Sequence, residues 1–118
     1  MDVKGCYKKM DGNYEEAVRL MGSDERIIKY LKLFQKDTNI YVLCSAVKDN
    51  DFKTAFHAAH TLKGVALNLS LTSLADRTKE LTEMLRSGIP GEGVVSLLQK
   101  TKKTHALVME CINTLINE

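Results

Sequence analysis

Residues 52–69 read FKTAFHAAHTLKGVALNL, and this stretch decides the fold. It contains no Pro and is rich in Ala and Leu. Laid out at about 100° per residue, Ala55, Ala58, Ala59, Leu62, Ala66 and Leu69 share one face, so the spacing predicts an amphipathic helix. His60 falls on the opposite side, with Lys53 and His57 before it and Lys63, Gly64 and Leu67 after it. Side chains three and four apart are neighbours on a helix surface, which gathers His60, Lys63 and Gly64 into one patch. Gly64 is the unexpected choice. Glycine inside a helix costs about 1 kcal/mol relative to Ala. On a solvent side, beside an imidazole and an ammonium, it suggests that something must come close to the backbone there.

Working outward, Lys48-Asp49-Asn50-Asp51 is a polar turn whose Asn and Asp can cap the helix that follows. Before it, Ser23 is an N-cap candidate, with Asp24 and Glu25 placed against the positive end of the next helix. Ile27, Ile28, Leu31, Phe34, Tyr41, Val42 and Ala46 form one apolar stripe as far as about Val47. A bend or break near Thr38-Asn39-Ile40 is the alternative. Earlier still, Asn13 and Glu16 have the spacing of a capping box. They predict a short helix through Ala17, Val18, Leu20 and Met21 that stops at Gly22. Residues 1–12 are expected to form a flexible N-terminal arm.

On the other side, Leu71, Leu74, Ala75, Thr78, Leu81, Thr82 and Leu85 repeat at three and four residues. The helix they predict ends at Ser87-Gly88. Pro90 can occupy the first turn of a last helix. That helix carries Val94, Leu98, Thr101, His105, Val108, Ile112 and Leu115 to the C-terminus. No strand-like alternation appears. Four long helices joined by short connectors favour antiparallel neighbours. The expected fold is therefore all-α: an antiparallel up-down four-helix bundle with a short extra N-terminal helix, occupying residues 13–118 as one domain.

Composition narrows the function classes. The chain has 118 residues, 44% hydrophobic and 27% charged, with a net charge of +2, acids and bases being interleaved. That charge is too small and too mixed to indicate nucleic acid. Lys100, Lys102 and Lys103 read as a solvated helix face. The three cysteines, Cys6, Cys44 and Cys111, are widely spaced and suggest neither a disulfide scaffold nor a zinc site. Cys44 and Cys111 lie among apolar residues and read as small core side chains. Neither a signal peptide nor a membrane span is evident. A cytoplasmic protein is expected.

An exposed imidazole offers a neutral nitrogen nucleophile near neutral pH, and the Lys63 ammonium would favour an anion attached to that ring. The plain alternative is a surface histidine with no task. His57 shares the face, yet two helical histidines without a third ligand make a poor metal site, so no metal is expected. Phe56 flanks the core face, and Leu67 lies nearly in line with His60 unless it tucks against a neighbouring helix. His105, on the apolar stripe of the last helix, reads as a partly buried, hydrogen-bonded side chain. The run Gly88-Ile-Pro-Gly-Glu-Gly lacks the ending of a phosphate loop and reads as a connector.

Residues 59–69, AHTLKGVALNL, resemble the signature of histidine-containing phosphotransfer (HPt) domains, whose core reads H-x-L-K-G followed by A-x-x-L. The likeness extends more weakly from about Gly22 to Gly88. It implies a four-helix bundle in which His60 accepts a phosphoryl group from a receiver-domain aspartate or a kinase and passes it to another receiver aspartate. It makes Lys63 the phosphate-stabilising lysine and Gly64 the small residue that admits the partner. Lys53, Phe56, His57 and Leu67 would border the docking surface. The family has glycine where this chain has Ser70, and a Ser there is expected to cap the next helix and change the turn.

No receiver signature and no nucleotide-binding box is evident, so the resemblance describes a phosphocarrier without autokinase activity. Such a chain binds no cofactor, and Mg²⁺ would sit on the partner receiver domain. The implied partners are response-regulator receivers, a sensor histidine kinase or both, and a monomer is expected. Two other readings fit the same residues. One is the phospho-acceptor domain of a chemotaxis-type histidine kinase, and the other is an adaptor that binds receivers without being phosphorylated.

Overall fold

A computed structural model describes residues 1–117, so the expected run of the last helix to Glu118 ends outside the described residues. Side-chain caps set most helix starts. Asp2, Asn13, Ser23 and Asp51 each accept a hydrogen bond from a backbone N–H three residues on. The described residues form seven helices and no strand. In order these are α1 (Val3–Lys9), α2 (Tyr14–Met21), α3 (Asp24–Phe34), α4 (Asn39–Lys48), α5 (Phe52–Asn68), α6 (Thr72–Leu85) and α7 (Val94–Asn117). α4 packs on α5, α5 on α6 and α6 on α7, while α1 to α3 cover one end and flank.

Three helices end on a left-handed residue that is not glycine. Asp11, Asn50 and Ser70 have φ of 54°, 57° and 56°, in the left-handed region. Each donates to a carbonyl three residues back, and the residue after it donates five residues back: Gly12 to Tyr7, Asp51 to Ala46 and Leu71 to Ala66. These are Schellman closures, in which the left-handed residue usually is glycine. Ser70 does not cap α6, contrary to expectation; the N-cap position of α6 is Leu71, with no side-chain cap. Instead the Ser70 hydroxyl donates to Glu16 at 2.9 Å. Glu16 is thereby taken up elsewhere, and the capping box at Asn13 has only its Asn half.

The expected flexible arm over residues 1–12 is corrected. Val3, Cys6, Tyr7 and Met10 are buried on one side of α1, a three-and-four spacing that the interior Gly5 obscures. The Tyr7 hydroxyl donates to Leu69 O at 2.8 Å, and Asn13 N–H donates to Ser70 O at 2.9 Å. The Ser73 hydroxyl donates to the Asp11 carboxylate, and Ser73 N–H donates to Asp11 O at 3.3 Å. Gly12 is small by necessity: a Cβ there would lie 2.9 Å from both Ser70 O and the Tyr7 ring. The N-terminus is thus a clamp on the turn between α5 and α6, and two short helices precede α3, not one.

The continuous stripe from Ile27 to Val47 is also corrected, and the break falls at residues 35–38. Asp37 accepts from the backbone N–H of Asn39 at 2.9 Å, an Asx turn that starts a new helix. Restarting the helix resets its phase. Ile40, Leu43, Ala46 and Val47 are buried, whereas Tyr41 is 70% exposed and Val42 also faces outward. Leu20 likewise faces solvent, while Ala17 and Met21 of α2 are buried. Pro90 does not open the last helix. Gly93, at φ 94°, precedes Val94 and accepts from Leu97 N–H at 2.9 Å, so the first turn begins there.

The core is built around fully buried Ile27, Leu31, Leu43, Leu62, Leu74, Leu81, Leu85 and Ile112. A fully buried Leu or Ile contributes roughly 1.5–3 kcal/mol relative to exposure. The face of α5 named above is the buried one: Ala55, Ala58, Ala59, Leu62, Ala66 and Leu69. Four of these are alanines. They add little apolar area each, but they allow α4 and α6 to lie close against α5.

Candidate functional site

α5 is held rigidly at both ends. At its start Asp51 accepts from Thr54 N–H at 3.2 Å and from the Thr54 hydroxyl at 2.7 Å, bonds that hold its carboxyl below the usual range. At its end the Schellman closure at Ser70 turns the chain, and Tyr7 and Asn13 fix that turn from outside. Between these anchors the outer face carries Lys53, His57 and His60 exposed, with Lys63 and Gly64 half-buried and Leu67 54% exposed. Leu67 is therefore not tucked against a neighbour.

The aromatic ring of Phe56 organises the His60 side of this face. Its centroid lies 6.0 Å from that of His60, with the planes tilted by 35°, and 5.5 Å from that of His57, edge to face. Above the same ring, 5.4 Å from its centroid, sits the guanidinium of Arg86. Arg86 donates two hydrogen bonds to Glu83, from Nη2 at 2.8 Å and from Nε at 3.1 Å. These bonds hold the Glu83 carboxyl below its usual value, and the charges of Arg86, Lys63 and Lys79 act in the same direction. A Cβ built on Gly64 would meet nothing within 4 Å. Packing inside the chain therefore does not require glycine there.

A sequence model of the Hpt domain family matches residues 31–111. The chain belongs to the Hpt domain family. The matched span is more than half of the 118 residues and runs from α3 into α7, taking in His60, Lys63 and Gly64. No curated protein and no solved structure matches the chain significantly. Membership in the Hpt family implies histidine phosphotransfer in two-component phosphorelay signalling, and Hpt domains interact with receiver domains and kinases. No helix among the described residues is long and apolar enough to cross a membrane. Among them there is also no group of three or more His, Cys, Asp or Glu side chains suited to a metal ion.

Glu83 and Arg86 border the site without having been singled out from the sequence. At a spacing of three they resemble any exposed helix pair. The available signal was the reversal at Ser70: a helix running back along α5 brings residue 86 beside Phe56. His105 departs from expectation in another way. It is buried against Phe34, ring centroids 5.8 Å apart, but its Nε2 has no hydrogen-bond partner among the described residues. Burial holds its pKa below the usual value, with the Asp37 charge opposing.

Proposed function

We propose that His60 is the phosphoacceptor of a phosphorelay intermediate that exchanges phosphoryl groups with receiver-domain aspartates. The observation that carries this reading is the position of His60: exposed on the outer face of α5, beside the Phe56 ring and one turn before Lys63 and Gly64. A lone pair on an imidazole nitrogen attacks the phosphorus of an aspartyl phosphate. The P–N bond forms as the P–O bond to the aspartate breaks, and the aspartate leaves as a carboxylate. The proton on the other ring nitrogen stays in place during attack. Donation to a second aspartate is the same step reversed.

Lys63 is assigned to the charge of the transferred group, as a point cation one turn from the ring. Gly64 is assigned to clearance, and the open space around its Cα supports that assignment. Lys53, Phe56, His57 and Leu67 form the surrounding docking surface, where an apolar side chain as exposed as Leu67 suits burial against a partner. The chain holds no cofactor in this scheme, and Mg²⁺ belongs to the receiver. We assign α4 to α7 an antiparallel up-down four-helix arrangement, which the short connector 49–51 and the turn at Ser70 favour. The protein acts as a cytoplasmic monomer in this reading.

The test is transfer of label from a phosphorylated receiver domain to the intact protein. Acid-labile, base-stable label on the wild type and none on His60→Gln is the expected result. Label of equal yield on His60→Gln removes the assignment. Labelling by a kinase ATP-binding domain but not by any receiver would favour the chemotaxis-type acceptor instead.

A further inference from the structure

The Glu83–Arg86 pair stands beside the proposed acceptor but has no part in the scheme above. We infer that Glu83 holds Arg86 in reserve as a phosphoryl ligand: when His60 carries a phosphoryl group, the Arg86 guanidinium leaves Glu83 and pairs with the phosphoryl oxygens. The inference rests on His60 being the acceptor. It adds a second cation and an internal counter-ion to that site.

Three observations support the exchange. The guanidinium lies over the Phe56 ring, and that ring is the direct neighbour of the His60 ring. Phe56 therefore sets the cation and the imidazole against one shared ring, which leaves the flexible arginine arm a short swing from the acceptor. Second, the pair is exposed, with side-chain exposures of 55% for Arg86 and 56% for Glu83. An exposed, solvent-screened pair of this kind contributes little to stability, so giving it up costs little. Third, the guanidinium fork fits a phosphoryl group as well as a carboxylate, and the phosphoryl group carries more negative charge.

Glu83 also has Lys63 within electrostatic reach, since the Lys63 charge acts on its carboxyl. Before phosphorylation, Glu83 thus feels the charge of two cations, Lys63 from α5 and Arg86 from α6. It partly neutralises a face that would otherwise present two cations beside His60. Glu83 is a positioning residue in this arrangement, and Arg86 contacts the phosphoryl group.

The test loads the intact protein with phosphoramidate as a small-molecule donor and follows the His60-dependent signal by phosphorus NMR, with His60→Gln as the blank. The reading is the pH midpoint at which the phosphoryl group takes its last proton. A cation paired with the group favours the dianion and lowers that midpoint. Arg86→Ala is expected to raise it by about 0.2–0.7 pH unit. Arg86→Lys should recover part of that shift. Glu83→Gln should lower the midpoint, and by clearly less in the Arg86→Ala background, since only the direct effect of the lost carboxylate remains there.

A midpoint unmoved by Arg86→Ala overturns the inference, as does a Glu83→Gln shift of equal size with and without Arg86. In either case His60 keeps its role. If neither phosphoramidate nor a phosphorylated receiver domain puts a His60-dependent signal on the wild type, the acceptor assignment falls and takes the inference with it. Both side chains are exposed, so circular dichroism is expected to show all variants folded.

Discussion

The hydroxyl of Tyr7 in α1 donates to the carbonyl oxygen of Leu69 at the end of α5, at 2.8 Å and a separation of 62 residues. The ring is fully buried, and burial, with the Cys6 thiol adding to it, pushes the phenol pKa well above the ordinary tyrosine value. The hydroxyl therefore stays protonated and available as a donor. Tyr7→Phe keeps the ring but orphans a buried carbonyl, which costs about 1–3 kcal/mol. Urea unfolding should show that loss with an unchanged slope. A loss below about 0.3 kcal/mol would mean that water or another donor satisfies Leu69.

Ser70 sets two effects against each other. Its left-handed φ of 56° suits glycine, while its hydroxyl binds Glu16 at 2.9 Å. Ser70→Ala loses the hydrogen bond and keeps the strain, so it should destabilise by about 1–2 kcal/mol. Ser70→Gly also loses the bond but relieves the strain, and should be more stable than the Ala variant by about 1 kcal/mol. The order of the two midpoints in denaturant checks this. An Ala variant at least as stable as the Gly variant would contradict the turn geometry.

Gly64 separates stability from transfer. With open space around its Cα and a helical backbone, Gly64→Gln should stabilise the fold by up to about 1 kcal/mol. The same side chain should obstruct the approach of a receiver and reduce the transfer rate at least tenfold. Thermal melts and transfer kinetics on the same preparation read both. Faster or unchanged transfer would remove the clearance role.

His105 makes acid a destabiliser. Its pKa in the folded chain lies below the ordinary 6.5, because burial disfavours the charged ring. The unfolded chain therefore binds more protons as pH falls through 6.5, and stability drops from there toward the folded-state value. Around the ring, Asp37 opposes the shift, and Lys102 and Glu110 of α7 share the cleft that His105 lines. Denaturant midpoints between pH 7.5 and 5 should decline in the wild type, and the decline should flatten in His105→Leu. Parallel profiles would assign the acid sensitivity to other groups.

The helix bearing His60 was legible in the sequence because local signals agree there: Asp51 as cap, an Ala/Leu face of the right period, and one glycine with no core task. The site's near neighbours on α5 follow from the same helix geometry. What escaped depends on tertiary context. The three Schellman turns use Asp, Asn and Ser where glycine is the usual signal. The apolar residues of α1 have helical spacing, but Gly5 and the short length make the segment weak without the α5–α6 turn to clamp. The break at residues 35–38 hides between two apolar segments that can be joined on paper into one stripe. Arg86 needed the reversal at Ser70 before its closeness to Phe56 had meaning.

The clamp of α1 on the α5–α6 turn changes where the protein can be cut. The match to the family model begins at residue 31, inside α3, and so suggests a portable module that starts there. A fragment trimmed to that limit would lose Tyr7, Asn13 and Glu16, and with them the outside partners of Leu69 and Ser70. It would also lose Ile27 from the centre of the core. The boundary of likeness and the boundary of cooperative folding are different lines in this chain. Fusions and minimal versions should keep the first thirty residues.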